Sequence, residues 1–198
     1  MMENEKHKIA GLILAGGEGK RVGGKDKGLL PFRGYPLIYQ TIQKFKSQLD
    51  WLAISANRNL EQYQDFKLPI FQDVGPWKHL GPLAGIASVS QFIPQNMDMM
   101  FVVPCDTPLL PYDLLDHLKL AMLRNSECQI AYAATENSIH PSIFLCRTEI
   151  NSELPEHLAS GKQSLKSWIF RHKNIKVYFP DEMNFTNMNY LETLAGYQ

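Results

Sequence analysis

Cysteine is scarce and scattered. The 198 residues hold three, Cys105, Cys128 and Cys146, too far apart for a CxxC pair, which excludes a disulfide framework and a zinc knuckle and predicts reduced thiols. An excess of charge of either sign is missing too: twenty Lys and Arg balance twenty Asp and Glu, so no global field points to nucleic acid or an anionic membrane. No apolar run approaches a transmembrane length, and Met1 to Lys8 is polar and charged, without the apolar core of a signal peptide. These absences predict a cytoplasmic protein with a small-molecule partner. None of the six histidines pairs at H-x-x-x-H spacing, so no zinc site or Ser-His-Asp triad is read. No coiled-coil pattern is present, which predicts a monomer.

What the chain does hold is alternating strand and helix signals. Ile9 to Leu14 reads as a buried strand; Leu37, Ile38, Thr41, Ile42 and Phe45 then recur at helical spacing, followed by the apolar run Trp51 to Ile54. The pattern continues with a short strand at Leu68 to Phe71, a helix at Leu83 to Phe92, a strand at Met99 to Val103 and a helix at Pro111 to Arg124, with Pro111 near its start. Further strands are expected at Ile130 to Ala134, Ile143 to Cys146 and Ile175 to Phe179, where the sheet turns mixed. Helical stretches lie near Leu154 to Ala159, Leu165 to Phe170 and from Tyr190. One three-layer αβα domain with a Rossmann-like, mostly parallel twisted sheet follows, spanning 1–198 with a polar tail over 1–8.

The most informative segment runs from Leu12 to Leu29, where an apolar strand empties into a loop with Gly16, Gly17, Gly19, Gly23 and Gly24 and four cations, Lys20, Arg21, Lys25 and Lys27. With so little side-chain bulk the backbone can take positive φ and bring its N–H groups against an anion, and the cations add charge. A dinucleotide-binding G-x-G-x-x-G fails because Val22 stands where the third glycine belongs. A P-loop fails because Asp26 replaces the hydroxyl residue that would meet Mg²⁺.

In open α/β sheets ligands gather beyond the carboxyl ends of the strands. The residues there are the glycine loop, Ser55-Ala56-Asn57-Arg58-Asn59, Gln72-Asp73 and Pro104-Cys105-Asp106-Thr107-Pro108. Asp106, held between two prolines, is a hard-oxygen ligand suited to Mg²⁺ that also binds phosphates; it can equally start a turn. Asp73 can accept from the adjacent donors of a guanine edge or from a ribose. Asn187 and Asn189 offer amides, or a helix cap at Asn189.

The run L-A-G-G-x-x-x-R-V-G-G-x-D-K, with Gly28-Leu29-Leu30 after it, resembles the nucleotidyltransferases that activate small molecules with a nucleoside triphosphate, and in particular the molybdenum cofactor guanylyltransferases. The block Val102 to Pro108, the segment Asp73 to Gly85 and Asn184-Phe185-Thr186-Asn187-Met188-Asn189 are similar to the same family. The resemblance implies transfer of GMP from GTP to molybdenum-bound molybdopterin, with pyrophosphate released and Mg²⁺ as cofactor. It implies a nucleotide site of Leu14, Ala15, Gly16, Gly17, Lys27, Ser55 or Asn57, Asp73 and Asp106. Arg21, Lys27 and Asp106 are implied in catalysis, Asp106 as metal ligand, and Gly81, Gly85, Asn187 and Asn189 on the molybdopterin side. Where family members can carry Asn, this chain has Ser55, so either Ser55 or Asn57 reads the nucleotide. Molybdoenzymes or their chaperones are candidate recipients of the product. Competing expectations are a cytidylyl- or uridylyltransferase on a related phosphorylated molecule, and a non-catalytic nucleotide-binding carrier.

Overall fold

The computed structural model describes residues 7–17, 24–78 and 80–188. Strand β1 (Ile9–Leu14) is followed by a hairpin of β2 (Pro31–Phe32) and β3 (Tyr35–Pro36), helix α1 (Leu37–Phe45), β4 (Trp51–Ser55), α2 (Leu60–Gln64), β5 (Ile70–Phe71), α3 (Pro82–Ser90) and β6 (Met99–Pro104). Then come α4 (Leu114–Arg124), β7 (Ile130–Ala134), β8 (Ile139–Arg147), α5 (Leu154–Ala159), α6 (Leu165–Ile169) and β9 (Asn174–Tyr178). Seven strands form one sheet in the order β5-β4-β1-β6-β8-β7-β9. Only β8 runs against its neighbours β6 and β7; the other pairings are parallel. The sheet is therefore mostly parallel and turns mixed after Cys128.

Strand alternation builds the layers. Met99, Phe101 and Val103 of β6 face one core with Ile38, Ile42 and Phe45 of α1 and Leu114 and Leu118 of α4. Met100 and Val102 point the other way, to Leu83, Ile86 and Val89 of α3 and Trp168 of α6. A period-2 strand with both faces apolar must be covered on both sides, which makes the three layers. The buried residues of α1 are Leu37, Ile38, Thr41, Ile42 and Phe45, the stripe its spacing predicts.

Three differences from the sequence reading have physical causes. The helix expected from Pro111 begins at Leu114, and Pro111 instead lends its carbonyl to the Leu114 amide at 3.3 Å. The hairpin β2–β3 and the short α2 carry too few residues for a period to register. Strand β8 extends well beyond Ile143 to Cys146, but its register shifts: Tyr132 faces Phe144 while Ala133 faces His140, so residues 141–143 fall between as a bulge. Pro141 has no N–H to give a ladder, so a bulge is where a strand accommodates it. The expected helix from Tyr190 lies outside the described residues.

Behind α6, His157 and His172 flank the buried Trp168, with ring centroids 5.2 and 4.3 Å away. Desolvation by burial lowers both imidazole pKa values, and Arg171 adds to the effect. With the native values depressed, the unfolded chain takes up protons first as pH falls, so stability declines below the ordinary histidine value of 6.5. The urea midpoint is expected to be lower at about pH 5.5 than at about pH 7.5; a higher midpoint at the acid pH contradicts the burial of these rings as neutral groups.

Candidate functional site

Four strand ends open onto one cavity of about 710 Å³, lined by Leu14, Ala15, Gly16 and Gly17 after β1, Ser55, Asn57 and Arg58 at β4, Asp73 after β5, and Pro104, Cys105 and Asp106 at β6. Lys27, Gly81, Pro82, Gly85, Ser142 and Asn187 complete the walls. The convergence expected from a parallel sheet is therefore present, and it brings together every proposed site residue that lies within the described set.

Asp106 lines the cavity just after β6. Its carboxylate is nearly buried, and Lys27 Nζ lies 3.3 Å from Oδ2. Burial raises the Asp106 pKa above the usual carboxylate value, against the opposing pull of the Lys27 charge and of hydrogen bonds from Lys27 and Asn187. The turn carrying Asp106 is pinned from two sides: Met188 donates its amide to the Asp106 carbonyl at 2.8 Å, and Lys44 of α1 donates to the carbonyls of Pro108, at 3.2 Å, and Leu110. Burial of that ammonium lowers its pKa to about 8.

On the opposite wall, Asn57 and Asp73 form a closed pair. Asn57 Nδ2 donates to Asp73 Oδ2 at 2.9 Å, and Asp73 N–H donates to Asn57 Oδ1 at 2.8 Å. Both ends of the amide are thus engaged in aiming Asp73, while Ser55 stands against Gly85. A Cβ at Gly85 would come within 2.5 Å of Ser55 Oγ and 3.5 Å of Asp73 Oδ1, so α3 approaches the site only because this residue has no side chain. Gly81, with φ of 81°, turns the chain into α3.

The glycine loop departs from expectation in two respects. Among its described glycines near the strand, Gly16 and Gly17 do not adopt positive φ; Gly24, at 76°, does. At Gly16 the requirement is space, since a Cβ would lie 3.0 Å from Asn57 Nδ2. The Ala15 amide is taken by the Ser55 carbonyl at 2.8 Å, whereas no described residue accepts from the amides of Gly16 or Gly17. The Ala15 amide, expected to meet an anion, is therefore engaged within the fold. Lys25 is exposed and does not line the cavity. Lys20, Arg21, Gly19, Gly23 and Asn189 lie outside the described residues.

The sequence reading missed Arg58 and Ser142 as cavity residues. Pro141, just before the expected strand Ile143 to Cys146, was the nearest sequence feature to the bulge that turns Ser142 to the site. Arg58 had only its strand-end position as a hint, since its partners are backbone carbonyls 33–41 positions away.

The donor set fits Mg²⁺ of one particular kind. Asp106 and Asp73 supply hard oxygen to the cavity, and among the described residues no three His, Cys, Asp or Glu side chains gather into a cage. Mg²⁺ bound through one or two carboxylates, with water and substrate phosphates filling its remaining positions, matches such a set.

Residues 11–175 match the MobA-like NTP transferase domain. The chain belongs to this family. The molybdenum cofactor guanylyltransferase of Haemophilus influenzae is 37% identical over 187 residues, covering 94% of this chain and 95% of that protein. That of Ralstonia pickettii is 36% identical over 196 residues, covering 94% of each. Among solved structures, the molybdopterin-guanine dinucleotide biosynthesis protein A of Archaeoglobus fulgidus superposes with a TM-score of 0.71 at 20% identity, covering 95% of this chain and 96% of that one. CMP:2-keto-3-deoxy-manno-octonic acid synthetase, in complex with CTP, gives 0.72 at 12% identity, covering 96% of each. These two likenesses show a shared fold. The MobA-like domain thus accounts for the sheet and for the glycine loop at its mouth.

Proposed function

We propose that the protein transfers GMP from GTP to the terminal phosphate of molybdenum-bound molybdopterin, releasing pyrophosphate. The observation that carries this reading is the pairing of Asp106 and Lys27 at 3.3 Å in a cavity that also exposes the glycine loop. The guanylyltransferase names of relatives aligned over nearly the whole chain support the choice of base and acceptor.

In this reaction an oxygen of the acceptor phosphate attacks the α-phosphorus of GTP in line. A new O–P bond forms as the bond between the α-phosphorus and the bridging oxygen breaks, and pyrophosphate leaves with the electron pair. No protein nucleophile is required. The obstacle is charge, since two anions approach while more charge develops on the leaving group. The amides of Gly16 and Gly17 would hold the phosphates, Lys27 and Arg21 would neutralise them, and Ser55 with Asp73 would contact the guanosine. Asn57 aims Asp73. Asn187, Asn189, Gly81 and Gly85 are assigned to the molybdopterin side. Asp106 would hold Mg²⁺, which when bound supplies positive charge to the phosphate oxygens.

We assign the active species as a monomer in the cytoplasm, where Cys105, Cys128 and Cys146, all unpaired and buried, stay reduced. Molybdoenzymes or their chaperones would take up the product.

The direct test compares thermal shifts with GTP, CTP and UTP, each with Mg²⁺, and then pyrophosphate release with molybdenum-loaded molybdopterin. GTP is expected to give the largest shift, because a ligand stabilises only the state it binds, and release is expected to require the pterin. A shift with CTP alone overturns the substrate; GTP binding without pyrophosphate release supports the carrier alternative.

A further inference from the structure

Three consecutive side chains after β4 fasten segments that form or adjoin the cavity wall. Asn57 holds Asp73 through both ends of its amide. Asn59, in the left-handed conformation with φ of 50°, donates Nδ2 to Asp26 Oδ2 at 3.1 Å. Between them Arg58 sends Nη1 to the Gly24 carbonyl at 2.8 Å, and Nη2 to the carbonyls of Gly17 at 3.0 Å and Lys25 at 2.9 Å. Its guanidinium thus spans the place where the chain enters the glycine loop and the place where it leaves.

The same arginine reaches Asp26, whose Oδ2 lies 3.7 Å from Nε. The Asp26 side chain is 3% exposed. Its Oδ1 accepts from Tyr63 Oη at 2.6 Å and from the Gly28 amide at 3.2 Å, the second bond capping the single turn Lys27–Leu29. Burial holds the Tyr63 phenol protonated, so it serves as donor. Gly28 closes the arrangement, since a Cβ there would meet Tyr63 Oη at 2.5 Å. Lys27 is the residue between Asp26 and Gly28, so whatever fixes Asp26 also fixes the start of the side chain that meets Asp106.

We infer that Arg58 is the positioning residue of the phosphate-binding loop: it sets the spacing between Gly17 and Gly24–Lys25 and, through Asp26, the placement of Lys27 against Asp106. The physical reason lies in the carbonyls. A loop that offers amides to an anion also carries carbonyl oxygens, which repel it. One planar guanidinium with a fixed fork of donors engages three of them at once and leaves positive charge beside the phosphates. A lysine ammonium of similar reach lacks that fork. The inference rests on the reading that this cavity takes a nucleoside triphosphate, and it deepens that reading with a residue that acts through the loop.

The test has two arms, applied to Arg58→Ala, Arg58→Lys and Asp26→Asn. In the free protein, hydrogen exchange at the Gly28, Leu29 and Leu30 amides is expected to quicken about tenfold in all three variants, with β1 amides unchanged, because the turn opens locally. Unchanged exchange at these amides overturns the inference without reference to any nucleotide. In the second arm, GTP affinity is expected to fall about tenfold or more in Arg58→Ala and not to be recovered in Arg58→Lys, while guanosine affinity stays at the wild-type value, since Asn57 and Asp73 are untouched. Equal losses for GTP and guanosine indicate general damage and overturn the positioning role, as does full recovery in Arg58→Lys. A wild-type protein that binds no GTP defeats the functional reading instead, and the exchange arm still decides whether Arg58 sets the loop. Should Arg58→Ala not fold, Arg58→Lys and Asp26→Asn carry the exchange arm, and Arg58→Lys carries the affinity arm, with the same loss of about tenfold for GTP and none for guanosine expected.

Discussion

Asp106→Asn is expected to lower turnover by about 10³-fold or more, the scale of losing a preorganised charge aimed at the reacting group. The substitution keeps the shape of the side chain and removes its charge. At physiological pH that charge is a burden to the fold, because burial raises the native pKa of this carboxyl and so favours its neutral form. Removing it leaves the thermal midpoint of the free protein unchanged or higher, and much of the GTP affinity should remain, since Gly16, Gly17, Ser55 and Asp73 lie elsewhere on the wall. Steady-state kinetics with a thermal melt and a GTP titration on the same preparation check all three parts. Full activity in this variant removes Asp106 from the chemistry.

Lys27→Ala is the second large effect. Two unit charges about 4 Å apart interact by about 1 kcal/mol in water and about 4 kcal/mol at an effective dielectric of about 20. Lys27 is mostly sheltered from solvent, so its attraction for a phosphate falls towards the larger figure. At about 1.4 kcal/mol per decade that scale corresponds to a loss of about two to three decades in kcat/KM for GTP. Both KM and kcat are expected to worsen, because the ammonium meets ground-state phosphates and also the charge that grows on the leaving pyrophosphate. Unchanged kinetics take Lys27 out of the site. Lys25, exposed and outside the cavity wall, serves as a control whose replacement by Ala should change kcat/KM by less than about threefold.

The contrast between Lys25 and Lys27 shows how far the sequence could be read. Four cations are visible in the glycine loop, but that Lys27 rather than Lys25 lines the cavity depends on Asp26, whose buried carboxylate caps the turn Lys27–Leu29. The strand-end residues were legible because parallel strands with two apolar faces force one end of the sheet to be the mouth. Gly16, Ser55, Asp73 and Asp106 all lie at those ends, and so does Arg58, but position alone gives Arg58 no role. It joins loops through carbonyl oxygens, and a carbonyl is the same at every residue, so no pattern of side chains records the contact. Ser142 was missed because the apolar signal of β8 begins only at Ile143, and the bulge before it is set by pairing with β7. The engagement of the Asn57 amide at both ends was not legible either, since only the folded chain brings Asn57 to Asp73.

The central claim is that a triphosphate lies between the Gly16 and Gly17 amides and the Asp106–Lys27 pair, at the carboxyl end of β1. A crystal structure with a non-hydrolysable GTP analogue and Mg²⁺ tests it most directly. The account predicts phosphate oxygens within hydrogen-bond reach of those two amides and of Lys27 Nζ, with the ion on Asp106. The other end of the sheet offers a second cavity of about 380 Å³, lined by Ile9, Gln48, Tyr112 and Lys119 among others. Analogue bound there, with the mouth around Asp106 holding none, contradicts the account.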